Sequence, residues 1–267
     1  MKYTIDNDLH IHSFLSECSQ DPKQTAEAIL AYAKSEGLKK ICLTDHYWDE
    51  TVPGASPWYK MQDTHHIRAA LPLPECQGID FLFGCETDMS RHLTLGVSRE
   101  RFDEFDFVVV PTTHLHMNEF TIPTDFVDTP EERAKLWVKR LDALLSMDLP
   151  FKKIGIAHLA CRLINRKSPE DYLKTLELIP EDEMVRLFTK AASLGCGIEL
   201  NRDDMSFKCG GENTVLRPFR IAKECGCKFY LGSDIHHPHN MPDVMDRFNT
   251  AIDILDLREE DKFIIGK

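Results

Sequence analysis

The sequence predicts an α/β fold with a mainly parallel sheet, and three observations predict it. Short apolar runs rich in β-branched and aromatic residues alternate with longer stretches of helical periodicity. Polar residues of metal-ligand type recur at the C-terminal end of each apolar run. The length of 267 residues is that of a barrel of β/α units, which commonly occupies ~250 residues as one domain, so residues 1–267 are read as a single unit.

Taken in order, the first strand ends at Asp8-Leu9-His10-Ile11-His12, and a helix follows from Pro22 to Glu36 with Ala26, Ile29, Leu30 and Ala33 on one face, stopped by Gly37. Lys40–Thr44 is the second strand. An irregular insertion near 49–78 precedes the third, Asp80–Cys85, and Phe105–Pro111 is the fourth. A helix over Pro130–Met147 leads into Ile154–Ala157, and one over Glu181–Leu194 into Gly197–Leu200. A helix near Thr214–Glu224 precedes Lys228–Gly232, and Asp243–Leu257 is the last helix, giving seven strands.

Composition narrows the function classes. A hydrophobic share of 42% and a charged share of 28% describe a globular chain able to bury a core. The first residues hold no apolar run of signal-peptide type, and no stretch approaches the ~18 apolar residues of a membrane span, so a cytoplasmic location without a membrane partner is expected. Nine cysteines in apolar surroundings suit reduced thiols, Cys225 and Cys227 among them as buried turn thiols. The formal charge of −12 argues against a broad grip on nucleic acid, while a small anionic ligand at a metal site is compatible with it.

The strand ends carry His10 and His12, Asp45 and His46, Glu86 and Asp88, His114 and His116, His158, Glu199 and Asn201, then Asp234 and His236. In a β/α barrel all these ends converge on one face. His10 and His12, at i and i+2, put both imidazoles on one side of a strand, able to chelate one ion, and Asp234 with His236 repeats the spacing. Such nitrogen and oxygen donors suit Zn, Mn or Fe in the +2 state. Of twelve histidines, eight lie at or just past strand ends: His10, His12, His46, His114, His116, His158, His236 and His237.

Asp8-Leu9-His10-Ile11-His12-Ser13, Leu43-Thr44-Asp45-His46, Gly84-Cys85-Glu86, the His114 segment, Ala157-His158 and Gly232-Ser233-Asp234-Ile235-His236 resemble, in order and spacing, the motifs of the polymerase and histidinol phosphatase (PHP) family. The resemblance spans residues 8–238. It implies a distorted (β/α)7 TIM-like barrel holding two or three divalent metal ions and hydrolysing phosphoesters. By position it implies one metal on His10, His12, Glu86 and Asp234, a second on His46 and His236, and a third on His114 and His158, with Glu86 bridging. Where many family members place a further His or Asp after the first motif, this chain has Glu17 and Cys18, either of which could ligate the second ion.

Two cations about 3.5–4 Å apart lower the pKa of a shared water and let a bridging hydroxide attack a phosphoryl group in line, so no nucleophilic side chain is required. The candidates for the acid that protonates the leaving group are Asp45, His116 and His237. Arg162 and Arg202 are the candidates for binding phosphate, since a guanidinium fork matches two phosphate oxygens; a surface ion pair is the plain alternative for each. Trp58 and Tyr59 of the insertion either cover a substrate or pack the loop on the barrel, and His65 and His66 read as exposed helix residues. The expected activity is phosphomonoester hydrolysis of a small phosphorylated metabolite, with histidinol phosphate the candidate that the resemblance suggests. A phosphodiesterase or exonuclease acting on nucleotides, an amide hydrolase, and a non-catalytic metal-binding barrel are the rivals.

Overall fold

The computed structural model describes residues 1–266. Seven parallel strands pair strictly with their sequence neighbours: β1 (Asn7–Ile11), β2 (Lys40–Leu43), β3 (Asp80–Glu86), β4 (Phe107–Pro111), β5 (Ile154–Ala157), β6 (Gly197–Asn201) and β7 (Lys228–Gly232). The sheet curls until β7 meets β1, forming a nearly closed, distorted (β/α)7 TIM-like barrel. Side chains help to close this seam. Asn7 Oδ1 accepts from the Leu231 amide at 3.3 Å and Asp8 Oδ1 from the Ser233 amide at 2.9 Å. Backbone bonds finish it above, from Asp234 N to His10 O at 2.7 Å and from His12 N to Ile235 O at 3.0 Å.

The helices are α1 (Ala26–Ser35), the single turn α2 (Thr64–Ile67), α3 (Pro130–Leu145), α4 (Pro169–Leu178), α5 (Glu181–Leu194), α6 (Glu212–Glu224) and α7 (Val244–Ile254). Several boundaries differ from the sequence reading. α1 starts at Ala26 rather than Pro22 because Thr25 is its N-cap, its hydroxyl accepting the Ala28 amide at 3.2 Å. β4 begins at Phe107 rather than Phe105, and α3 and α7 stop before Met147 and Leu257. α4 was not expected at all: only Tyr172, Thr175 and Leu176 of it are buried, so its apolar periodicity is thin, although Ser168 and Pro169 form a regular helix start. The outer apolar layer packs helices against the barrel and against one another, α3 on α4 and α5, and α5 on α6.

The lumen is filled rather than hollow. Leu9, Cys42, Phe107, Val109, Ala157, Tyr230 and Phe263 form its cluster, with Phe107 and Tyr230 edge to face at 5.1 Å between centroids. The packing demands glycine on β5: a Cβ at Gly155 would stand 2.4 Å from Phe107 Cζ and 2.5 Å from the Tyr230 hydroxyl. Phe263, from the segment after α7, seals the end opposite the functional loops, its amide bonded to Phe229 O at 2.8 Å.

A bulge in β1 then aims the first candidate ligand. Asp8 pairs with Ile41 but Ile11 pairs with Leu43, so three steps of β1 run against two of β2. As a result two consecutive residues share the inner side: Leu9 fills the lumen, while His10 reaches across to Glu199 on β6.

Gly155→Val places a branched side chain between Phe107 and Tyr230. It is expected to cost about 1–3 kcal/mol, the usual penalty of overpacking, and to lower the midpoint of thermal unfolding followed by circular dichroism.

Candidate metal centre

The strand ends bring the predicted ligands to one point, and Glu86 at the end of β3 lies at its middle. Its Oε2 is 3.2 Å from His12 Nε2, 3.4 Å from His10 Nε2 and 3.2 Å from His46 Nδ1. Its Oε1 is 3.6 Å from His158 Nε2 and 3.9 Å from His114 Nε2, and has no hydrogen-bond partner although it is buried. Burial opposes ionisation of this carboxyl, yet the imidazoles of His46 and His10 outweigh burial and hold it well below the usual carboxylate range.

His10 Nε2 and His12 Nε2 stand 3.0 Å apart, and Asp234 Oδ1 is 3.2 Å from the latter and 3.6 Å from the former. Ligand atoms of a tetrahedral ion such as zinc, at about 2.0–2.2 Å from the metal, are separated by about 3.3–3.6 Å. His10, His12 and Asp234 offer ligand atoms that all lie within 4.8 Å of one another, and Glu86 Oε2 stands beside both imidazoles of that group. Two strained backbones complete the geometry: Asp234 adopts φ 52° and His158 φ 58°, left-handed conformations that L-residues avoid at a cost of about 1–3 kcal/mol.

Around this point lie two further groups. His46, His236, His12 and Cys18 each offer one ligand atom, all within 4.8 Å of one another. Burial pushes His46 well below the ordinary imidazole value and, with His12 adjacent, His236 down to about 4. His10, Glu86 and His158 form another such set, and the His114 ring lies 5.1 Å from that of His158. Glu17 is only half-buried, its carboxylate accepting from the Gln20 side chain at 3.4 Å, and it does not line the cavity at the centre.

Hydrogen bonds outside the cluster decide which imidazole nitrogen is free. Glu199 Oε1 accepts from His10 Nδ1 at 2.5 Å, which leaves His10 Nε2 with its lone pair toward Glu86. The other Glu199 oxygen accepts the His158 amide at 3.0 Å and so bears on the strained turn. Asp88 Oδ2 accepts from His114 Nδ1 at 2.9 Å and from the Tyr59 hydroxyl at 3.0 Å. His12 Nδ1 donates to Ser16 Oγ at 2.8 Å, and that hydroxyl donates to Asp45 Oδ1 at 2.7 Å. Asp88 and Glu199 were visible in sequence as strand-end carboxylates without an assigned role. Ser16 and the buried Arg140 gave no signal, and Tyr59 was read as a cover for substrate or a packing residue, not as a partner of Asp88. Arg140 binds the carbonyls of Thr112 and Met89 at 2.8 and 2.7 Å, which fixes the loops after β3 and β4.

The remaining predicted residues fall in different places. Asp45 is buried, its carboxylate taken up by the Ser13 amide and hydroxyl and by Ser16. His116 lines the cavity, its Nδ1 buried and unpartnered; burial, then His114, push it down to about 4. His237 lies outside the cavity lining, its Nδ1 3.7 Å from Asp21 Oδ2. Arg162 borders an adjoining cavity that shares His158, Leu163 and Asp234 with the main one, its guanidinium 5.1 Å from the Tyr172 ring and bonded to Ser168 O. Arg202 is buried, lines neither cavity, and donates to Asn240 O at 2.7 Å. Trp58 meets His46 edge to face at 4.8 Å, Tyr59 packs with Trp48 and Phe120, and Cys225 and Cys227 are half-buried and buried.

The PHP domain model matches residues 8–203, well over half of the chain. The chain belongs to the PHP domain family. Asp234 and His236 lie beyond the matched segment and are joined to it by the pairing of β7 with β6 and by the barrel's closure onto β1. No curated protein matches this PHP domain protein in sequence. Among solved structures it is similar to histidinol phosphate phosphatase from Lactococcus lactis subsp. lactis Il1403, complexed with zinc, L-histidinol and phosphate. The TM-score is 0.57 at 16% identity, over 97% of this chain and 98% of that one. It is also similar to a candidate histidinol phosphatase from Listeria monocytogenes, with TM-score 0.59 at 14% identity over 91% of this chain and 99% of that one. At these identities the likeness is one of fold.

Replacing Glu199 by Gln keeps its shape while weakening its hold on His10 Nδ1 and the His158 amide. Glu199→Gln is expected to reduce metal affinity of this PHP domain protein by about 10–100-fold, read by titration with a competing chelator.

Proposed function

We propose that this chain is a metal-dependent phosphomonoesterase acting on a small phosphorylated metabolite, with histidinol phosphate the first substrate to test. The observation that carries the reading is the convergence of five imidazoles on the two oxygens of the buried Glu86, at a cavity of about 630 Å³. That size suits a metabolite. His10, His12, Glu86, Asp234, His46, His236, His114 and His158, with Cys18 beside them, would hold divalent cations, which when bound would supply Lewis acidity and a water of lowered pKa.

The chain's own groups do the rest. His10 and His12 keep their Nδ1 protons on Glu199 and Ser16, so each presents only one basic nitrogen to the centre. Asp45 acts as a positioning residue, holding Ser13 and Ser16 in place beneath His12 and His46. His116 is the candidate acid that lines the cavity; its pKa, about 4 in the free protein, must rise beside the negative charge of a bound phosphate for it to carry the proton. Trp58, Phe120 and Met117 form an apolar wall over the reacting end and exclude water there. Arg162, beside the adjoining cavity, is the phosphate-binding cation of this reading, and Arg202 supports the loop after β6.

Metal-reconstituted protein is expected to release inorganic phosphate from histidinol phosphate or an aryl phosphate and to leave oligonucleotides at full length. Chelation should abolish the release, and Glu86→Gln should lower kcat by more than about 100-fold. Shortening of an oligonucleotide without phosphate release from monoesters would instead make the chain a phosphodiesterase. Arg162→Ala should lower kcat/KM by about 10–100-fold, the worth of one hydrogen bond to a charged group, measured over a range of substrate concentrations.

A further inference from the structure

The ligand set beside His46 and His236 contains sulfur. We infer that Cys18 supplies a thiolate to this second metal position, making it a mixed sulfur and nitrogen site, and that Glu17 stays outside it. The inference rests on the reading that the centre binds metal ions and adds to it the chemistry of one position.

Geometry separates the two neighbouring residues. The Cys18 sulfur stands with one ring nitrogen each of His12, His46 and His236 in a group whose members all lie within 4.8 Å of one another. Cys18 lines the cavity together with His46, Glu86 and His236. Glu17 points elsewhere, its carboxylate engaged with the Gln20 side chain and its amide bonded to Gln62 Oε1 at 3.1 Å. Nothing in the described residues turns that carboxylate toward the imidazoles.

The loop that carries Cys18 is held on both sides. Before it, Ser16 Oγ bonds to Asp45 Oδ1 at 2.7 Å and accepts the His46 amide at 3.1 Å. After it, the Ser19 hydroxyl donates to the carbonyl of His236 at 2.5 Å, and the Ser19 amide to Ser16 O at 2.8 Å. Residues 16 and 19 are thus tied to the two strand ends that bear the imidazoles, and Cys18 is carried between them. A thiol placed on such a tether faces the ring nitrogens without a large movement of the chain.

Binding replaces the S–H bond with a sulfur–metal bond and releases one proton to solvent, with no change of oxidation state. A thiolate is a soft donor, so this position favours zinc, cobalt or ferrous iron over magnesium and manganese, whereas the position of His10, His12, Glu86 and Asp234 has only nitrogen and oxygen donors. The two positions therefore differ in metal preference.

The test is cobalt substitution of the full chain followed by near-ultraviolet absorption, where sulfur-to-cobalt charge transfer appears. Wild type and Glu17→Gln are expected to show the band; Cys18→Ser is expected to lose it and to hold the last-filled ion about 100-fold more weakly or worse. Bound cobalt should also shield Cys18 from alkylation by iodoacetamide, mapped by mass spectrometry on the wild-type chain. Cobalt uptake at full stoichiometry with no charge-transfer band would overturn the inference and leave the metal-dependent reading standing. So would a band that survives Cys18→Ser and disappears in Cys161→Ser, because Cys161 lies with His158 and Asp204 in a separate group. Failure to take up any cobalt would overturn both.

Discussion

The buried carboxylate of Glu86 is the group on which the rest of the structure depends. It is 1% exposed, lies within 4 Å of five imidazole nitrogens, and keeps one oxygen without a hydrogen-bond partner. A carboxylate taken out of water is costly unless opposite charge compensates it, and in the free protein the surrounding imidazoles supply that charge. A divalent cation held between these atoms would take over that charge compensation, and Glu86 has two oxygens with which to meet it.

Holding so many polar groups in one spot requires a frame that cannot relax around them, and the barrel provides it from below. Tyr230, Phe107 and Phe263 fill the lumen, and glycines on β5 and β6 allow those rings to meet. Higher up, Gly232 leaves room for Glu199: a Cβ there would stand 2.0 Å from its carboxylate oxygen. The bulge in β1 turns His10 inward directly after Leu9, and the left-handed backbones of His158 and Asp234 turn their side chains back over the centre. Strain of this kind persists where neighbours over-determine it, and here the neighbours are the Glu199 carboxylate on the His158 amide and the His10 carbonyl on the Asp234 amide.

A second layer comes from outside the strands. Asp88 links His114 to Tyr59 of the insertion, and Arg140 of α3 gathers carbonyls from the loops on either side. Ser16 and Asp45 tie the loop after β1 to the end of β2. The insertion after β2 is thereby part of the centre, because Trp58 and Tyr59 contact His46 directly. Trp58 and Tyr59 also line the cavity beside His46 and Glu86.

Seven strands and the placement of polar residues at their ends were readable from the chain, because a strand buried on both faces must be continuously apolar and a change to His or Asp marks where it emerges. The ordered motifs from His10 to His236 likewise pointed to the PHP family before any coordinates. Other features depended on contacts between residues far apart in the chain. Glu199 and Asp88 acquire roles only when β6 faces β1 and β3 faces the loop after β4. Arg162 and Arg202, alike in sequence context, are separated by the backbone carbonyls that each guanidinium meets. Glu17 and Cys18 are adjacent and equally plausible as donors in sequence, and only the hydrogen bonds of Ser16 and Ser19 turn one toward the imidazoles. Sequence determined which residue types could hold a metal, because composition and periodicity are local; tertiary structure decided which of their atoms meet, because that depends on distances the chain sets only when the barrel closes.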